Sequence, residues 1–264
     1  MPDNRTTVRL ELSAAADAPA HELARHEQES GHTAGLLIEA TDKRRLKPLR
    51  LKEPASPARD RSPFQLDPDL ITLFYTVDAM KSDDEPYVLQ FLSATSGEGT
   101  TTIAWGFAIA ASLERNQAVL VIDCSGGEAA GQPLSLLDAV NGDGMIENAI
   151  EHVPQMKRLF RARLCSSANP LLEIDGADLR NLLAILKENF PVVVLDCPAA
   201  SAVSDSLAIS RYCDATALVV RADHARREVI DWAKQSIERF GGQVIGAIFN
   251  DRKKYIPDWL YRRL

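Results

Sequence analysis

The chain has 264 residues, 45% hydrophobic and 25% charged, with a formal net charge of −7. That length and apolar content suit one sizeable α/β domain with an extension. The acidic balance argues against a general nucleic-acid binder, no apolar run reaches the length of a membrane span, and the charged first residues lack the apolar stretch of a secretory signal.

Residues 1–62 are polar, with Pro, Ser and mixed charge, and read as a mostly disordered arm. Within it, residues 34–40 form a small apolar island followed by the basic stretch Lys43-Arg44-Arg45-Leu46-Lys47, which fits either a solvated linker or a short docking helix for a partner. A helix is expected to start near Asp67, with Pro68 in its first turn. Residues 87–92 are an apolar run of strand length. The segment Ser93-Ala94-Thr95-Ser96-Gly97-Glu98-Gly99-Thr100-Thr101-Thr102 comes next, and an Ala-rich helix with Ile103, Ala104, Phe107, Ala108 and Ala111 at helical spacing follows it.

Strand, Gly-rich turn and helix are the setting of a phosphate-binding loop, whose template is G-x-x-x-x-G-K-[ST]. Gly99 holds the second glycine and Thr101 the final hydroxyl, but Thr100 stands in the lysine position and Ala94 in that of the first glycine. The amides of Gly97, Glu98, Gly99, Thr100, Thr101 and Thr102 are the candidate cradle for a nucleotide's phosphates, since loop N–H groups and a helix N-terminus attract anions without a lysine. The alternative is an ordinary Gly-containing turn. Two further segments argue against it. Residues 118–123 and 190–196 are continuous apolar strands of the kind found in parallel sheets covered on both faces, and they end in Asp123 and Asp196. Ligands in such sheets bind beyond the carboxyl ends of the strands, so both carboxylates are candidates to hold a magnesium–phosphate complex. An Asp there can also merely cap the next turn.

Further along, residues 134–150 and 178–188 read as helices, 217–221 and 244–249 as strands, and 229–240 as a helix between them. Residues 252–264 mix basic and aromatic side chains, a pattern that fits peripheral association with a membrane, docking on a partner, or folding back onto the domain. Cys124, Cys165, Cys197 and Cys213 lack C-x-x-C spacing and suit buried, reduced thiols of a cytoplasmic protein, although Cys124 and Cys197 each follow a strand-end Asp, which leaves redox sensitivity open. No histidine has metal-ligand spacing, and no G-x-S-x-G elbow supports a hydrolase.

Taken together, these motifs make the chain resemble the bacterial tyrosine kinase family of exopolysaccharide biosynthesis, itself related to the Min/Par ATPases with a deviant P-loop. The resemblance covers roughly residues 64–250 and rests on the loop, the strands ending at Asp123 and Asp196, Cys197-Pro198, residues 203–207 and 217–222, and Arg226-Arg227-Glu228. It implies a mostly parallel, doubly wound sheet of the P-loop NTPase type over 63–250, with the arm (1–62) before it and the tail (251–264) after it. It further implies a strand within 158–165, magnesium on Thr101, the α-phosphate on Thr102, the metal and its water organised by Asp123 and Asp196, and adenine near Asn250. ATP and Mg are the implied cofactors and a membrane polysaccharide co-polymerase, the chain-length determinant, is the implied partner.

Several departures weigh against full activity. The lysine is Thr100, a second Asp expected two residues after Asp123 is Ser125, residues 70–76 lack an E-x-x-R-x-x-R oligomerisation motif, and the C-terminal tyrosine cluster is reduced to Tyr255 and Tyr261. A charge-assisted hydrogen bond to phosphate contributes roughly 1.5–3 kcal/mol, so its loss costs about 10- to 150-fold in affinity. Phosphoryl transfer suffers more, because its catalysis is mainly positioning and charge stabilisation. Three functions follow: a degenerate kinase that regulates a co-polymerase, an active ATPase or tyrosine autokinase with a non-standard loop, and a Min/Par-like positioning ATPase.

Overall fold

The computed structural model describes residues 10–12, 67–80, 85–115, 117–126, 134–142, 145–166, 175–203 and 205–251. In chain order the elements are β1 (Leu10–Leu12), α1 (Pro68–Ala79), β2 (Tyr87–Ser93), α2 (Thr100–Glu114), β3 (Val119–Asp123) and α3 (Leu136–Asn141). They continue with β4 (Ile150–His152), β5 (Leu159–Arg163), α4 (Gly176–Asn189), β6 (Val192–Asp196), α5 (Asp205–Ile209), β7 (Ala215–Arg221), α6 (Arg227–Arg239) and β8 (Val244–Asn250). One eight-stranded sheet has the order β1-β8-β7-β2-β6-β3-β5-β4. Its central strands, from β8 to β5, run parallel, and the edge strands β1 and β4 are antiparallel to their neighbours.

Burial on both faces explains why the central strands read as continuous apolar runs. Every residue of β2 is buried. Alternate side chains go to opposite faces: Leu89 and Phe91 pack with Phe74 of α1 and Phe107 of α2, while Val88 and Leu92 pack with the α4 leucines and with Ile237 of α6. The polar exception, Gln90, is fully buried but satisfied. Its amide donates to the Ser206 carbonyl at 2.7 Å, and its carbonyl accepts the Thr216 hydroxyl at 2.9 Å.

Asp67 caps α1 by accepting the Asp69 amide, and Pro68 occupies the first turn, as the sequence predicts. Leu70, Leu73, Phe74 and Val77 lie buried in the core cluster that also holds α2. The two helices approach closely because α2 carries Gly106: a Cβ there would come within 2.4 Å of Leu70 Cδ1. Arg115 closes the far end of the pair on Asp78 at 2.6 Å.

The single helix expected over 134–150 is not formed. Helix α3 stops at Asn141, with Gly142 as its C-cap, and residues 146–149 form a 3₁₀ turn leading into β4. The physical reason is in the sequence: Gly142-Asp143-Gly144 is a run of poor helix formers. Three residues of the expected arm, Leu10–Leu12, pair with Ile248–Gly246 of β8 as an edge strand. The rest of the arm and the tail from 252 onward, with Tyr255 and Tyr261, lie outside the described residues.

Candidate functional site

The loop between β2 and α2 connects a central strand of the sheet to the N-terminus of the longest described helix. Gly99 adopts φ 87°, a conformation that calls for glycine, and a Cβ on it would lie 2.1 Å from Asn250 Nδ2 and displace that side chain. Asn250, at the end of β8, donates to the Glu98 carbonyl at 3.0 Å. It therefore meets the loop directly, on the β7–β8 side. Glu98 is buried, and its Oε2 accepts the amides of Ala94 and Thr95 at 3.1 and 3.3 Å. Burial pushes its carboxyl up, and these bonds hold the rise back. Thr100, in the lysine position, is buried at the first turn of α2, whereas Thr101 and Thr102 are exposed. First-turn amides have no partner within a helix, which leaves the loop able to accept an anion.

On the other side of the loop, strand register brings the two carboxylates together. Phe91 of β2 pairs with Asp196 of β6, and Asp196 pairs with Asp123 of β3. Paired residues in parallel strands point to the same face, here the face covered by α2. Thr101 Oγ1 donates to Asp196 Oδ1 at 3.2 Å. The expected adjacency of the three strand ends is present, since β2, β6 and β3 are neighbours, and Asp123 and Asp196 line one crevice, whereas Ser93 lies outside its lining and its hydroxyl donates to the Thr95 carbonyl. Burial, with a smaller contribution from Asp123, raises the Asp196 carboxyl to about 6 against the opposing bond from Thr101. Ser125 supports Asp123 instead of supplying a second carboxylate: its amide donates to Asp123 Oδ1 at 2.8 Å, and its hydroxyl donates to the same oxygen.

Thr101, Asp123 and Asp196 offer hard oxygen donors of the type that suits magnesium. Among the described residues no group of three or more His, Cys, Asp or Glu side chains forms a metal cage.

The carboxylates border a cavity of about 500 Å³ that extends from Thr101 toward β5. Trp105 lines it, as do Arg161 and Arg163 of β5. Arg161 pairs with Glu151 at 2.8 Å. Arg163 donates to the Cys165 carbonyl at 3.4 Å and helps hold the Asp138 carboxyl down, after the larger effect of the Ser135 hydroxyl. These arginines are functional candidates that the sequence reading missed. Their alternation with buried Phe160 and Ala162 is the signal that marks them as one face of a strand.

Cys124 and Cys197 follow the two aspartates and so point to the opposite face of the sheet. Their thiols hydrogen-bond each other, and this contact together with burial pushes the Cys124 thiol well up. A buried thiol held protonated is poorly reactive, which at Cys124 favours packing over redox chemistry. Arg226 and Arg227 are exposed at the start of α6, away from the crevice lining.

A mostly parallel α/β sheet, a Gly-rich loop on its central strand and two carboxylates at neighbouring strand ends give a fold like that of P-loop NTPases. No family model matches the chain. The tyrosine-protein kinase CpsD of Streptococcus pneumoniae serotype 4 is 26% identical over 181 residues, covering 64% of this chain and 78% of the relative. The kinase domain of the Escherichia coli tyrosine kinase ETK superposes with a TM-score of 0.62 at 21% identity, covering 72% of this chain and 76% of that one. The kinase domain of VpsO superposes with a TM-score of 0.59 at 25% identity, covering 70% of this chain and 94% of that one. The resemblance to bacterial tyrosine kinases read from the motifs is thus shown by sequence relatives and by fold. No helix among the described residues is long and apolar enough to cross a membrane.

Proposed function

We propose that the chain is a cytoplasmic, bacterial-tyrosine-kinase-like protein of exopolysaccharide biosynthesis and export, a degenerate kinase that binds and regulates a membrane polysaccharide co-polymerase. The kinase-like part rests on the relatives and on the crevice. The observation that carries the degenerate part is the contrast within that crevice. Thr101, Asp123 and Asp196 stand together in the arrangement that would hold magnesium, while the lysine position beside them holds neutral Thr100. Magnesium, when bound, would be held by Thr101, Asp123 and Asp196 and would supply positive charge to offset the phosphates. The chain's own parts in this are the loop amides, which orient the phosphates, and Asp196 and Asp123, which fix the metal's side of the crevice. Asn250 is assigned to the base side, where it already meets the loop. The co-polymerase and polysaccharide roles come from the family resemblance, since a fold alone does not define a function.

An active ATPase or autokinase is the second reading, favoured by the retained Thr101–Asp196 bond. Calorimetry with Mg-ATP, paired with an autophosphorylation assay, separates the two. Weak binding without phosphotyrosine supports the degenerate kinase, and turnover abolished by Asp196→Ala supports the working enzyme.

A further inference from the structure

We propose that Arg163 supplies the positive charge that the loop lost at Thr100, acting on the metal–phosphate group from the opposite wall of the crevice. The inference rests on the reading of this crevice as a Mg-nucleotide site. Three observations carry it. First, register places Asp196, Asp123 and Arg163 side by side on β6, β3 and β5, all at the carboxyl edge. Parallel strands lie about 4.8 Å apart, so this row is about 10 Å across. Second, its members share the face under α2 and line one cavity together with Thr101. Third, the cavity is lined by two arginines and no lysine, and of the two it is Arg163 that stands in register with Asp123, while Arg161 lies two residues back, opposite Val121.

Electrostatics give this position a purpose. Two carboxylates meet at the strand ends, side by side in register. An incoming phosphate adds negative charge to the same place. In a lysine-containing loop the compensating charge comes from the helix start. Here Thr100 offers none, and Arg163, next to Asp123 in register and in the lining of the same cavity, is the cation that can offset it by turning its guanidinium from the Cys165 carbonyl and the Asp138 side toward the crevice. A guanidinium also forms bidentate bonds to phosphate oxygens, which an ammonium does not. Arg163 acts here as a ligand-binding residue. No bond is made or broken in the proposal.

The test is calorimetric binding of magnesium with the non-hydrolysable analogue AMP-PNP to the full chain. It compares wild type, Arg163→Met, Arg163→Lys, Thr100→Lys and the double variant Thr100→Lys/Arg163→Met. Arg163→Met is expected to weaken binding by roughly 10-fold or more, and Arg163→Lys by less, because it keeps the charge. Thr100→Lys is expected to tighten binding and to shrink the effect of Arg163→Met to a few-fold at most, because the two charges substitute for one another. Circular dichroism of Arg163→Lys and Arg163→Met verifies folding, and the lysine variant keeps the test valid if the methionine variant fails. An equal loss in both backgrounds overturns the proposal, as does unchanged binding in Arg163→Met. Binding by Thr100→Lys with none in wild type also overturns it, since Arg163 would then supply nothing, while the nucleotide reading survives. Failure of both wild type and Thr100→Lys to bind removes the nucleotide reading and the proposal together.

Discussion

Replacing Asp196 by asparagine should stabilise the metal-free protein at neutral pH. Asp196 is only 6% exposed and its carboxyl is raised from an ordinary 3.8 to about 6. In the unfolded chain it loses its proton near 3.8, and in the folded protein near 6. Between those values the folded state binds more protons, so stability falls as pH rises from about 4 to about 6 and levels off above. A difference of about two pH units corresponds to about 3 kcal/mol at most. The asparagine amide carries no charge, and its oxygen can still accept the Thr101 hydroxyl. The variant should therefore exceed wild type by about 1–3 kcal/mol at pH 7.5, or roughly 3–10 °C in Tm for a domain of this size, and should converge with it at pH 4. Magnesium should narrow the gap at pH 7.5, because only the ionised wild-type carboxylate binds it well. Thermal melts of both proteins from pH 4 to 8 provide the measurement. An Asp196→Asn protein no more stable than wild type at pH 7.5, or a difference independent of pH, would refute the reasoning.

Other substitutions probe the frame around the site. Gly106→Ala should destabilise by no more than about 1–2 kcal/mol in chemical denaturation, because its Cβ would force the Leu70 side chain aside, while alanine's better helix propensity returns about 1 kcal/mol. Gln90→Leu should cost about 1–3 kcal/mol, since it leaves the buried Ser206 carbonyl and Thr216 hydroxyl without their partner. Glu98→Gln keeps an oxygen acceptor for the Ala94 and Thr95 amides while removing a buried negative charge under the loop. It should tighten Mg-nucleotide binding several-fold, on the order of 1 kcal/mol, an effect that titration calorimetry would detect.

The sheet was legible because strands buried on both faces leave long apolar runs, as residues 118–123 and 190–196 do. Their terminal aspartates were legible for the same reason: a charge at the end of such a run marks the edge where the chain leaves the core. Helix α3 was overextended, because Ile146 and Ala149 continue an apolar pattern past the Gly142–Gly144 break, and pattern outweighed turn chemistry. The pairing of Leu10–Leu12 with β8 had no sequence signal, since three residues are too few for a period and the partner is distant in the chain. Arg161 and Arg163 alternate with Phe160 and Ala162, but a pattern over five residues says only that they share a face, not what that face meets. Their place beside Asp123 comes from strand order, which spacing along the chain does not encode. Glu98 was read for its amide alone; the part its carboxylate plays, accepting two of the loop's own amides, has no signal in the sequence.

The central claim is that this crevice keeps the magnesium side of a P-loop site and has lost the loop's own charge. Mg-ATP binding and phosphotyrosine formation should be measured on wild type, Thr100→Lys and Asp196→Ala. The account predicts weak binding and no autophosphorylation in wild type, binding about 10-fold or more tighter in Thr100→Lys, and loss of magnesium-dependent binding in Asp196→Ala. Efficient ATP turnover by wild type, abolished by Asp196→Ala, would contradict it and make the lysine-free loop a working one.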